Sequence, residues 1–166
     1  MKSDNLGLEL FEPSSFMDFR GEIYTTWSKQ SHRGITYPEL NFCHDKFSRS
    51  RQHVLRGFHG DANTWKLMSC VYGDMYLAIV DNNPDSDNYL KTDTFVISDR
   101  NKLQVLVPPM HGSAHVVLSP EGVFHYKLAY VGEYNDVDQQ FVVKWNDPRL
   151  DVEWPIDNPI IYDRDR

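Results

Sequence analysis

The segment Val54-Leu55-Arg56-Gly57-Phe58-His59 carries a guanidinium and an imidazole three residues apart inside an apolar stretch. Burying an unpaired charge costs far more than burying a leucine, so such a segment must pair its polar groups or open onto a cavity. Alternate residues of a strand share a face. His59 therefore groups with Gly57 and Leu55, and Arg56 faces the other way unless a bulge or twist intervenes. A lone histidine of this kind is more often a packed residue satisfied by a backbone carbonyl than a proton carrier. Company for His59 would change that reading, and Lys66, His115 and Tyr126 stand in other segments of the same apolar character.

The elements that must position these residues read as strands. Arg20–Trp27, Leu40–Phe47, His53–His59, Trp65–Val71, Met75–Asp81, Leu90–Ile97, Lys102–Val107, His115–Leu118, Gly122–Val131 and Phe141–Val143 are rich in β-branched and aromatic residues. Clusters such as Gly60-Asp61-Ala62-Asn63, Tyr72-Gly73-Asp74 and Ser98-Asp99-Arg100-Asn101 separate them as turns. Helical periodicity is weak, with one short helical turn expected over Pro13–Asp18. The pattern predicts an all-β antiparallel sandwich or jelly roll, whose inward-facing residues can line an open cavity. His59, Lys66, His115 and Tyr126 would converge there.

The 166 residues, 40% apolar and 13% aromatic, suffice for one well-packed domain spanning 1–166. A net charge of −7 disfavours a nucleic-acid surface, although the tract Lys46-Phe47-Ser48-Arg49-Ser50-Arg51 offers a local site for phosphate groups. No run approaches the roughly 20 apolar residues of a membrane span, and the start of the chain lacks the apolar core of a signal peptide. A small-molecule partner and a cytoplasmic location are the expectations. Cys43 and Cys70 lie in apolar segments without metal-type spacing and are expected to be buried free thiols.

Several tracts, in order, carry a resemblance. They are Asp18-Phe19-Arg20-Gly21, then Ser48-Arg49-Ser50 followed by Val54-Leu55-Arg56-Gly57-Phe58-His59, Trp65-Lys66-Leu67, and Gly73-Asp74-Met75-Tyr76-Leu77-Ala78-Ile79-Val80-Asp81. Val107-Pro108-Pro109, Tyr126-Lys127, Trp145-Asn146-Asp147-Pro148 and the closing Pro159–Asp165 stretch complete the set. The chain resembles the dTDP-4-dehydrorhamnose 3,5-epimerases and relatives acting on other nucleotide-linked 4-keto-6-deoxy sugars, which have a cupin-type jelly-roll fold. The resemblance implies an epimerase that inverts C3, C5 or both by acid–base proton transfer, in deoxysugar and polysaccharide biosynthesis, with no cofactor or metal.

It also implies roles. His59 and Asp165 match the family's general-base dyad, in which a carboxylate fixes the tautomer and stabilises the imidazolium. Tyr126 matches the tyrosine on the opposite face, and Lys66 the lysine near the sugar 4-oxygen, where an ammonium stabilises an enolate. Arg56 and Arg20 match arginines that contact sugar or diphosphate. Arg20 would reach a neighbouring subunit's ligand, since the family's homodimers exchange N-terminal strands, here within residues 1–30.

The chain also departs from the family. Gly60-Asp61-Ala62-Asn63 replaces a longer Tyr-Gln-containing loop, and Lys46 stands where an asparagine is usual, ahead of Ser48. The common Gly-Phe-Ala-His-Gly-Phe run becomes Met110-His111-Gly112-Ser113-Ala114-His115, so an ungapped alignment puts Ser113 at the histidine. Ser113 or His115 would face the sugar. These changes point to an unusual sugar or to a nucleotide other than dTDP, such as a GDP-linked deoxyheptose or deoxyhexose; the expected partner is a dTDP- or GDP-linked sugar, hexose or heptose. A metal-dependent cupin is disfavoured, because no His-x-His occurs and His53 lies about 20 Å from His59 along an extended strand. A 3,4-ketoisomerase and a non-catalytic sugar-binding cupin compete with the epimerase reading.

Overall fold

Strands form where β-branched and aromatic residues recur between turn clusters. The computed structural model describes residues 1–30, 32 and 40–166. In chain order the strands are β1 (Glu9–Phe11), β2 (Ser15–Asp18), β3 (Gly21–Tyr24), β4 (Phe42–Arg51), β5 (Leu55–Gly60) and β6 (Trp65–Tyr72). They continue as β7 (Asp74–Asp81), β8 (Thr92–Ser98), β9 (Gln104–Val107), β10 (His111–Val117), β11 (Glu121–Ala129) and β12 (Phe141–Val143). Two five-stranded antiparallel sheets result, ordered β1-β9-β6-β11-β4 and β12-β5-β10-β7-β8, and β2-β3 is a separate hairpin. This is the expected all-β, jelly-roll-like sandwich.

Between the sheets, alternate residues of both meet. Met68, Cys70, Val105, Val107 and Phe124 from the first pack against Met75, Leu77, Ile79, Ile97 and Val117 from the second. Truncating one of these to alanine is expected to cost about 2–5 kcal/mol. A second cluster lies on the outer face of the β5-β10-β7 sheet, where Phe58, Ala78, Val80 and Ala114 are covered by Leu150, Val152 and Trp154. Trp154 is fixed there by its indole N–H, which donates to Trp145 O at 2.9 Å. The chain then runs alongside the start of β5 in a parallel bridge between Val54 and Ile160. Leu55 N–H donates to Ile160 O (2.9 Å) and Ile160 N–H to His53 O (2.8 Å). These bonds anchor the Pro- and Asp-rich terminus and deliver a closing 3-10 turn, Asp163–Asp165, to β5.

Three expectations are corrected. Pro13–Asp18 contains no helical turn; Ser15–Asp18 is a strand paired with β3 from Ser15↔Tyr24 to Asp18↔Gly21. Its four residues cannot support a helical nucleus, whereas Asp18 Oδ1 accepts Arg20 N–H (2.8 Å) and Gly21, at φ 121°, closes a hairpin. Cys43 is exposed, because its strand faces outward there; only Cys70 is buried. The Lys46–Arg51 tract is not a single basic patch. It is strand β4, so its side chains alternate: Lys46 and Ser48 line the interior cavity, while Arg49 pairs with Glu121 outside.

Candidate active site

At one end of the sandwich the inward positions become polar and the sheets part around a cavity of about 320 Å³. Lys46 and Ser48 (β4), Arg56, Gly57 and His59 (β5), Lys66 (β6), Ser113 (β10) and Tyr126 (β11) line it. The C-terminal turn adds Tyr162, Arg164 and Asp165.

A bulge reconciles Arg56 with His59. Register pairs Ser113 with His59 and His115 with Arg56, so Ala114 opposes two residues, Gly57 and Phe58. The extra residue brings Arg56 and His59 to the same side and turns Phe58 into the outer cluster. Gly57 serves a further purpose. A Cβ at this position would lie 2.9 Å from Asp165 Oδ1 and 3.1 Å from its Cβ, so only glycine lets the C-terminal turn come this close.

His59 Nε2 and Asp165 Oδ1 are 2.6 Å apart, with the aspartate side chain 6% exposed. Burial works to raise the Asp165 pKa, but the hydrogen bonds from His59 and the Gly57 N–H, with the charges of His59 and Arg164, hold it below the usual carboxylate value. An imidazole that donates from Nε2 to a carboxylate keeps its lone pair on Nδ1, ready for a proton.

Tyr126 is buried, and desolvation drives its phenol up to about 12 against the lowering influence of Arg56 and the nearby Ser48 hydroxyl. It holds its proton at neutral pH. Lys66 Nζ donates to His59 O at 3.0 Å. Burial lowers its pKa to about 8; Asp61 opposes and Lys46 reinforces that shift. Arg56 donates to Ser50 Oγ from Nη2 (3.2 Å) and Nε (3.4 Å). Lys46 sits 5.3 Å from the Tyr134 ring and 4.0 Å from Asp136.

Of the two residues left open, Ser113 lines the cavity and His115 lies behind it. His115 is buried, stacked on Phe124 at 4.1 Å with ring planes 2° apart. Desolvation, then Arg56 and His59, push its pKa down to about 3, so it is a neutral wall residue. Arg20 lies on the β2–β3 turn, outside its own chain's cavity, in an ion pair with Asp18 at 2.6 Å. Sequence reasoning did not anticipate Gly57 as a spacer, or the contributions of Tyr134, Asp136, Gln140 and Arg164. Arg164 ties the 3-10 turn Val137–Gln139 to the C-terminal turn by donating to Val137 O at 2.8 Å. Its adjacency to Asp165 was the one available signal. Among the described residues no group of three or more His, Cys, Asp or Glu could hold a metal ion.

A family model described as dTDP-4-dehydrorhamnose 3,5-epimerase matches residues 5–166. The chain belongs to this family. A dTDP-4-dehydrorhamnose 3,5-epimerase of Shigella flexneri is 30% identical over 159 residues, covering 94% of this chain and 86% of that protein. The crystal structure of an enzyme of the same name from Elizabethkingia anophelis superposes with a TM-score of 0.88 at 30% identity, over 99% of this chain and 91% of that one. A dTDP-6-deoxy-D-glucose-3,5-epimerase from Legionella pneumophila, solved in complex with dTDP-4-keto-L-rhamnose, gives 0.90 at 26% identity over 99% and 88%. Family membership makes the protein an isomerase, an epimerase of nucleotide-linked 4-keto-6-deoxy sugars on a cupin-type fold.

Proposed function

We propose that His59, oriented by Asp165, is the base of this epimerase. The observation that carries the reading is the 2.6 Å contact that brings the penultimate residue to His59 at the wall of the cavity. His59 Nδ1 takes the proton from C3, and the C–H electrons move into the C4 carbonyl to give an enolate. The Lys66 ammonium stabilises that charge. Tyr126 then delivers its phenolic proton to the opposite face of the carbon, and the carbonyl re-forms. The phenolate regains a proton from solvent, the His59 imidazolium gives its proton up to solvent, and the same sequence at C5 inverts the second centre. Arg56, Lys46, Ser48 and Ser113 contact the substrate, the arginine as a fork for oxygen anions.

The dTDP-linked relatives support a dTDP sugar; a GDP-linked hexose or heptose is the competing substrate. The exposed apolar side chains of the β2–β3 hairpin, Phe16, Met17, Phe19 and Ile23, support burial of this hairpin in a homodimer that carries Arg20 to the partner's ligand. No helix among the described residues is long and apolar enough to cross a membrane, and we place the enzyme in the cytoplasm.

Proton NMR of dTDP- and GDP-linked 4-keto-6-deoxy sugars incubated with the enzyme in deuterated water tests this. Deuterium at C3 and C5 with inverted coupling patterns is the expected result. A carbonyl shifted to C3 would show a ketoisomerase, and unchanged spectra a binding protein.

A further inference from the structure

The segment between β11 and β12, residues 130–140, borders the cavity and puts Tyr134, Asp136, Val137 and Gln140 on its wall. Its backbone is anchored there. Gln139 N–H donates to Asp136 O at 2.8 Å, closing the 3-10 turn Val137–Gln139, and Arg164 donates to Val137 O at 2.8 Å. Asp136 holds the N-cap position of that turn, where a carboxylate ordinarily accepts the free N–H groups that follow it, yet its side chain makes no capping bond. Its Oδ1 lies instead 4.0 Å from Nζ of Lys46 on β4, and the Tyr134 ring lies 5.3 Å from the same ammonium. This is the longest ion pair among the described residues. Its side chains are 48% and 71% exposed, which places the pair at the cavity mouth. Pairs so exposed contribute little, so Lys46 is held loosely.

The charges on the wall give this contact a meaning. Four cations line the cavity, Lys46, Arg56, Lys66 and Arg164, against two carboxylates. Asp165 is committed to His59 at 2.6 Å. Asp136 is therefore the one carboxylate on the wall left to face an incoming anion. We infer that Asp136 is a resident counter-ion for Lys46: it holds the ammonium at the mouth of the cavity and gives it up to the diphosphate of an incoming substrate, with which it competes. This rests on the reading that a nucleotide-linked sugar occupies the cavity. The exchange favours the substrate, because a phosphate oxygen touching the ammonium makes a charge-assisted hydrogen bond, and the carboxylate at 4.0 Å makes none.

Calorimetric titration with dTDP and with GDP, the diphosphate-bearing parts of the candidate substrates, tests this. Asp136→Asn should tighten the bound nucleotide by about two- to fivefold, and KM for the nucleotide sugar should fall by a similar factor. Lys46→Met should weaken binding by about tenfold. The deciding comparison is the double variant: with no ammonium to compete for, adding Asp136→Asn to Lys46→Met should change affinity by less than about 1.5-fold. Unchanged or weaker binding in Asp136→Asn would overturn the proposal, the weaker case making Asp136 a substrate contact. Equal tightening in the Lys46→Met background would also overturn it, since the carboxylate would then act on the ligand directly. If wild-type protein binds neither nucleotide, the nucleotide-sugar reading of the cavity fails and takes the competition with it, an outcome that shows before any substitution is made.

Discussion

Two histidine–carboxylate pairs of nearly equal length occupy opposite faces of this protein. His59 and Asp165 meet at 2.6 Å in the cavity, and His125 and Asp45 at 2.7 Å on the outer face of the β6-β11-β4 sheet. The outer imidazole has its second nitrogen 3.4 Å from Ser69 Oγ and the Phe47 ring stacked on it at 4.6 Å. Its carboxylate is shared with Lys127 Nζ at 2.7 and 2.9 Å. Every polar atom of that pair is engaged, and its negative charge is already neutralised. His59 has one nitrogen committed and faces a cavity with Lys66 and Tyr126. On the mechanism proposed above, what surrounds a dyad, and not the contact itself, makes it a proton carrier.

The largest expected effect breaks one pair and spares the other. His59→Asn should reduce deuterium uptake by about 10³-fold or more, whereas His125→Asn should leave turnover within about twofold and lower stability by about 1–3 kcal/mol. Equal losses of turnover in both would dissolve the comparison. Gly57→Ala comes next, since its methyl would overlap Asp165, the nearest side chain to that position. A fall in kcat of about 10²-fold with a melting temperature close to wild type is expected, and full activity would show that the close approach is not needed.

A third imidazole sharpens the contrast. His115 has no carboxylate, and its folded pKa of about 3 lies below the ordinary value. Above pH 6.5 it is neutral in both states. As pH falls below that, the unfolded chain binds a proton that the folded chain refuses, so stability is lost, at up to about 1.4 kcal/mol per pH unit. His115→Phe should flatten the decline in melting temperature between pH 7 and pH 4.5, and an unchanged slope would refute it. The smallest effect belongs to Asp45. Burial raises its pKa, but Lys127 and His125 outweigh that and hold it below its ordinary value. The stability it contributes is present above pH about 4 and is lost as pH falls through the folded value. With this half-exposed side chain, Asp45→Asn should cost only about 0.5–1 kcal/mol at pH 7 in urea titrations, a deficit that fades in acid.

Much of this was legible in the residues. Alternating apolar runs with Gly, Asn and Asp turns specify strands wherever they occur, and ten such runs appear among the observed strands. Ser15–Asp18 does not read as a strand because its partner, Gly21–Tyr24, and not its own composition, makes it one. Strict alternation would have separated Arg56 from His59; the bulge opposite Ala114 joins them, and a bulge is settled by cross-strand register. That Ser113 reaches the cavity while His115 is packed against Phe124 is likewise a matter of tertiary placement, since both stand opposite cavity-lining residues in the ladder, His59 and Arg56.

The chain's own chemistry thus determined the strand-rich architecture and the supply of an imidazole, a phenol, an amine and guanidinium groups, because side-chain periodicity and ionisation are local properties. Folding in three dimensions decided that residue 165 meets residue 59, and that His125 is engaged with Asp45 on the outer face of its sheet. Those outcomes depend on which strands become neighbours and how much water they exclude, and neither is written at any single position.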